Sequence, residues 1–154
     1  MATAPTRLLV PTDYSACSRR ALEMALALAE RFGASIDLLH VWRTPHDLPP
    51  NLRVVGADDR EHALSELLEQ QAQSEMVEFV RAVAPETSTT VHRRFEAGEP
   101  SRVILDVAQE GYGLLVIGTH GRTGLQRFLM GSVTEKVVRL APCPVLTVRG
   151  GDPA

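Results

Sequence analysis

Cysteine is scarce in this chain. Cys17 and Cys143 are its only two, far apart and outside any CxxC or Cys/His ligand spacing, which argues against a disulfide scaffold and a zinc knuckle. Both read as small core-type residues. Long apolar runs are missing as well, and nothing approaches the stretch of about 18 apolar residues that a membrane-spanning helix needs. The first apolar segment, RLLVP from Arg7 to Pro11, is far too short for a signal-peptide core. These two absences predict a cytoplasmic protein with no membrane insertion. Neither sign of charge dominates: sixteen Lys plus Arg stand against nineteen Asp plus Glu, a formal −3, so no attraction to nucleic acid or to an anionic membrane is expected from the whole chain. Any anion site has to be local.

Familiar catalytic and phosphate motifs are absent too. No GxxxxGK followed by Ser or Thr occurs, which excludes a P-loop, and GxGxxG fails because Gly111-x-Gly113 is followed by Val116. There is no HExxH, GxSxG or kinase-type HRD segment, and the histidines are scattered at 40, 46, 62, 92 and 120. Hydrolase and metalloenzyme readings lose their support.

What is present is an average globular composition, 44% hydrophobic and 23% charged over 154 residues, the size of one domain. One domain over 1–154, with a core of about 6–149, is the expectation. Arg7 to Val10 reads as a strand buried on both faces, opening into Pro-Thr-Asp. Helical spacing of Ala21, Met24, Ala25, Leu28 and Phe32 predicts a helix from Ser15, its N-cap, to a stop at Gly33. Ser35 to Trp42 is a second strand. Residues 43–59 hold Pro45, Pro49, Pro50, Gly56, Asp58 and Asp59 and read as an irregular connection. A long amphipathic helix follows, with Leu64, Leu68, Ala72, Met76, Phe79, Val80 and Val83 on one stripe, until Pro85 stops it. Thr87 to Phe95 is the third strand, a short helix starts near Pro100, and Gly113 to Ile117 is the fourth strand. A helix from about Ser132 to Leu140 and a fifth strand from Pro144 to Arg149 complete the chain. This βαβαβαβαβ order implies an α/β fold, an open five-stranded parallel sheet with helices on both faces. The strand order is 3-2-1-4-5 if the chain crosses to the other side of the first strand at the fourth.

In such a sheet the ligand crevice lies at the carboxyl ends of the strands, where the order reverses. The first strand ends in Pro11-Thr12-Asp13 and the fourth in GTHGRTGLQRFLMGS. Gly118, Gly121 and Gly124 each lack a Cβ, which lets a ligand approach the backbone and lets amides turn inward as an anion nest. Gly131-Ser132-Val133-Thr134 begins a helix whose amides and dipole favour phosphate, with two hydroxyls as added donors. SVTE, from Ser132 to Glu135, also fits a capping box. Asp13 reads equally as a turn former. His120 reads as a polar loop residue, Arg127 stays unassigned, and Phe128, Leu129 and Met130 read as anchors pinning the loop to the body or to a second subunit. The final strand reads as a sheet edge.

Gly118-x2-Gly121-x9-Gly131-Ser132, VPTD near the start and the terminal APCPVLTVR together resemble the universal stress protein family, over about residues 6–149. The fold class this resemblance implies is Rossmann-like, of the adenine nucleotide alpha hydrolase-like kind. The glycine motif resembles that of the members that bind ATP. The resemblance implies that Asp13 contacts the adenosine, that Pro11 and Thr12 shape the wall, and that the backbone of Val41 meets adenine. It further implies Gly118 near the ribose and Gly121, Arg122, Gly131, Ser132, Val133 and Thr134 around the phosphates. Mg2+ or Mn2+ would be held mainly through those phosphates, and a homodimer would form through the fifth strand. The expected function is that of an ATP-binding, nucleotide-dependent stress-response regulator with unnamed protein partners. A slow ATPase or autophosphorylating protein, using Ser132 or Thr134, is one alternative, and a nucleotide-free interaction dimer is another.

Overall fold

The computed structural model describes residues 4–43, 49, 51–120 and 130–150. Five strands form one parallel sheet: β1 (Arg7–Thr12), β2 (Ser35–Trp42), β5 (Val91–Ala97), β6 (Leu114–Gly118) and β7 (Val145–Val148). Two short strands, β3 (Arg53–Val55) and β4 (Glu61–Ala63), pair antiparallel as a separate ribbon. Among the described residues four helices complete the order: α1 (Ala16–Phe32), α2 (Leu64–Val83), α3 (Pro100–Ala108) and α4 (Ser132–Leu140).

Alternation along β1 sorts the core into two layers, because successive side chains leave a strand on opposite faces. Leu8 and Val10 pack with Ala21, Leu22 and Ala25 of α1 and with Met76 and Phe79 of α2. Leu9 faces the other way, towards Ile104 and Val107 of α3 and Val137 of α4. The helices therefore cover both faces of the sheet, as the near-continuous apolar strands require. α1 is closed by local chemistry at both ends: Ser15 accepts from the Ser18 amide, and Gly33 ends it at φ 65°, where a side chain would be strained.

The sheet runs β5-β2-β1-β6-β7. This differs from the expected 3-2-1-4-5 as numbered, because the sequence predicts no strand between the second strand and the long helix. The strands there named third, fourth and fifth are β5, β6 and β7. The ribbon corrects the irregular segment expected at 43–59: Arg53 pairs Ala63, Val54 pairs His62 and Val55 pairs Glu61, around a turn in which Gly56 N donates to Arg60 O at 2.8 Å. β5 also starts later than Thr87. Thr89 N donates to Thr87 Oγ1, a local turn that keeps this stretch off the ladder, while pairing with β2 carries the strand on to Ala97.

The two sheet edges are chemically unlike. β5 exposes or half-exposes His92, Arg93, Arg94 and Glu96, whereas β7 is Val-Leu-Thr-Val, half-buried throughout and without charge. At the amino end of the sheet, Asp37 is held by Tyr112 Oη at 2.5 Å and by Arg7 Nη2 at 2.8 Å, tying β1, β2 and the segment after α3 together. No helix among the described residues is long and apolar enough to cross a membrane.

Candidate functional site

β1 runs towards one side of the sheet to β2, and the chain later returns to the other side of β1 as β6. Their carboxyl ends thus diverge at a switch point, and a cleft of ≈ 260 Å³ opens there.

The floor on the β1 side is fixed by its own turn. Thr12 Oγ1 donates to Ser18 Oγ and accepts from Tyr14 N, both at 3.1 Å. Asp13 Oδ1 accepts from Ser15 N at 3.1 Å, the turn-forming bond its type favours. Tyr14 sits at φ 64°, a conformation uncommon for a bulky residue. Three contacts keep it there: its ring stacks on His40 at 4.5 Å, meets Phe79 edge-on at 5.4 Å, and its hydroxyl donates to Ala72 O at 3.0 Å. With Tyr14 turned towards α2, Pro11, Thr12 and Asp13 line the cleft.

The opposite wall comes from β6 and α4. Gly131 N donates to Thr119 O and Thr134 Oγ1 donates to Gly118 O, each at 2.7 Å. These bonds dock the first turn of α4 on the end of β6, so that Gly131, Ser132, Val133 and Thr134 line the cleft with Gly118. The leading amides of a helix have no intrahelical partner, and here that end of α4 faces the cavity.

Three expectations change in detail. Ser132 is the first helical residue and Gly131 the N-cap, with no side-chain cap bond, so the capping box expected of Ser132 and Glu135 does not form. Thr134 is 4% exposed and its hydroxyl proton is committed to Gly118 O, so its side chain holds α4 to the end of β6 while the residue still lines the cleft. At Gly118 a Cβ would meet Cys17 Sγ at 2.9 Å and the Cys17 backbone carbon and oxygen at 3.1 Å. The missing side chain there admits α1, not only a ligand.

Val41 of β2 reaches the cleft as expected. Gly121 and Arg122 lie outside the described residues, as do Gly124, Arg127, Phe128 and Leu129. Met130, read from sequence as part of an anchor, is 40% exposed. The sequence missed an apolar wall made by Leu39, Pro100, Ile104 and Ile117, together with Ser18 and His120. Ile104 carried a signal, since it falls at helical spacing with Val107 and Ala108 on a face suited to burial, but nothing local places that face beside Val41.

At the start of α3, Glu99 caps the helix by accepting from Arg102 N at 2.9 Å and reaches Arg43 at 3.8 Å. Its pKa is held below the ordinary carboxylate value, chiefly by the 2.6 Å bond from Ser101 Oγ. Among the described residues no group of three or more His, Cys, Asp or Glu is placed to hold a metal ion. The cleft can therefore take a molecule with a flat apolar part against Leu39, Val41 and Ile104 and an anionic part at the α4 amides.

Comparison with known proteins agrees with this architecture. Residues 5–149 match the model of the universal stress protein family. A universal stress protein of Methanocaldococcus jannaschii is 34% identical over 144 residues, covering 93% of this chain and 81% of its own length. The solved structure of universal stress protein UspA from Lactobacillus plantarum superposes with a TM-score of 0.75 at 30% identity, over 94% of this chain and 97% of that one. A universal stress protein crystallised in complex with cAMP has the same fold, with a TM-score of 0.69 at 21% identity over 96% and 99% of the two chains.

Proposed function

The chain belongs to the universal stress protein family, and from that premise and the shape of the cleft we propose that it binds ATP and acts as a dimeric, nucleotide-dependent stress-response regulator. The observation that carries the reading is the meeting, in one cavity, of an apolar slot, the Asp13 carboxylate and the amino end of α4. Adenine suits the slot between Leu39, Val41 and Ile104. Asp13 suits a sugar hydroxyl, and the α4 amides with Ser132 suit phosphates. The relative crystallised with cAMP supports a nucleotide on this fold. A divalent ion, Mg2+ or Mn2+, would be carried by the phosphates.

The dimer would form through β7. Pro144 O accepts from Leu115 N of β6, and Val148 O from Thr119 N just beyond its end. By strand alternation the backbone groups of Val145 and Thr147 point to the free edge. An uncharged edge with unpaired backbone groups is a template for another strand, and a second copy of β7 satisfies it by a two-fold axis.

The test is to heat-denature freshly purified protein, identify any released small molecule by mass spectrometry, and titrate the emptied protein with ATP, GTP and AMP in Mg2+. ATP recovered or bound, and weakened roughly tenfold by Asp13→Ala, is the expected result. Absence of any adenine nucleotide in both arms would favour the interaction dimer instead. Sustained phosphate release that disappears with Asp13→Ala would favour the slow ATPase.

A further inference from the structure

His120 stands two residues beyond the end of β6, half-buried on the wall of the cleft. Its Nδ1 lies 3.0 Å from Thr119 Oγ1. Its Nε2 is shut off from solvent and, among the described residues, is the one buried side-chain nitrogen or oxygen without a hydrogen-bond partner. Folded proteins rarely leave such an atom unmet, because its desolvation is then uncompensated. On a cavity wall the natural complement is a polar atom of the occupant.

The neighbouring hydrogen bonds decide what Nε2 offers. Cys17 Sγ donates its single proton to Val148 O at 3.3 Å, so towards Thr119 Oγ1, 3.9 Å away, the sulfur can only accept. With the Thr119 proton turned to sulfur, the bond between Thr119 and His120 runs from Nδ1–H to Oγ1. Of the two tautomers, this is the one in which all three contacts are hydrogen bonds at once. The neutral ring then carries its proton on Nδ1 and a lone pair on Nε2.

Position narrows the donor that can meet this lone pair. Gly131 N bonds the carbonyl of Thr119, and a Cβ on Gly131 would lie 3.9 Å from His120 Cα, so His120 stands beside the first turn of α4 and not in the apolar slot. Phosphate oxygens are acceptors and gain nothing from a lone pair. The hydroxyls of a sugar, which lie between base and phosphates, can donate. Resting on the nucleotide reading above, we propose that His120 Nε2 accepts a hydrogen bond from a ribose hydroxyl of the bound nucleotide, so that His120 distinguishes ribonucleotides from deoxyribonucleotides.

The experiment is calorimetric titration of the wild type, His120→Ala and His120→Gln with ATP, 2′-deoxy-ATP and 3′-deoxy-ATP in Mg2+, each variant first melted to establish that it folds. The wild type loses roughly tenfold in affinity for the analogue missing the bonded hydroxyl. His120→Ala binds ATP and that analogue alike, and His120→Gln, whose amide oxygen can stand in for the lone pair, recovers part of the discrimination. Discrimination that survives in His120→Ala, or a wild type that binds all three equally, overturns the proposal while leaving the nucleotide reading intact. A wild type that binds no ATP overturns both. A readout that needs no nucleotide is imidazole 15N resonance in the free protein near neutral pH. It is expected to show Nδ1 protonated and Nε2 bare, and the opposite tautomer overturns the proposal by itself.

Discussion

Single residues at the cleft serve packing and binding together, and Gly118 shows how the two can be separated. A methyl group there collides with the Cys17 side chain at 2.9 Å and with its backbone at 3.1 Å. Gly118→Ala should therefore cost about 1–3 kcal/mol of stability, the usual range for overpacking, measured by urea denaturation. In a Cys17→Ala background only part of that loss should return, because backbone atoms supply two of the three close contacts. Full recovery would mean that the sulfur alone sets the limit. Ser132 marks where local reading stops. The SVTE pattern correctly announces a helix start, but whether Ser132 or Gly131 is the cap depends on the bond from Gly131 N to Thr119 O. That is a tertiary contact invisible in the four-residue pattern.

At the scale of elements, the pin at the amino end of the sheet sets a pH dependence. Burial, and then the hydrogen bond to Asp37, push the Tyr112 phenol up to about 12. Burial pulls Asp37 the other way from its partners, but the bonds from Tyr112 and Arg7 together leave its pKa below the ordinary value. The raised phenol stabilises the fold fully below its unfolded pKa of about 10, and that contribution is lost as pH rises towards 12, since the native state then holds a proton that the unfolded chain has released. The lowered carboxylate acts at the other limit, with its contribution lost as pH falls through the folded value. Tyr112→Phe keeps the ring under Arg7, whose guanidinium carbon lies 4.4 Å from its centroid, and removes only the hydroxyl. It should cost about 1–3 kcal/mol at neutral pH and flatten the decline between about pH 10 and 12. Denaturation curves across that range check it, and an unchanged slope would assign the decline to other groups. The main elements were legible because β1, β2, β6 and β7 are short, mostly apolar runs and each helix has a clean stripe. The β3–β4 ribbon was not. Its three-residue strands sit among Pro, Gly and Asp residues that read as loop, and their pairing lies outside the main core.

For the whole molecule, the switch point at β1 and β6 follows from the alternation of elements alone, which is why Asp13 and the start of α4 could be brought together from sequence. The apolar wall could not, because Pro100 and Ile104 reach Leu39 and Val41 only through the packing of α3 on the sheet. Proline at Thr147 removes an amide from the free edge of β7 while leaving the Pro144 and Val148 carbonyls on β6, so Thr147→Pro should give a folded monomer. Sedimentation together with circular dichroism checks this, and a folded dimer would exclude pairing through β7. The unlike edges bear on where such pairing ends. In the language of polymer chemistry, a unit with two reactive ends grows a chain, whereas a unit with one can only couple. With Arg93, Arg94 and Glu96 along β5 and no charge along β7, the sheet would be monofunctional in the proposed dimer: joining two copies would consume the single reactive end of each, and the product would be capped on both sides against becoming a fibre.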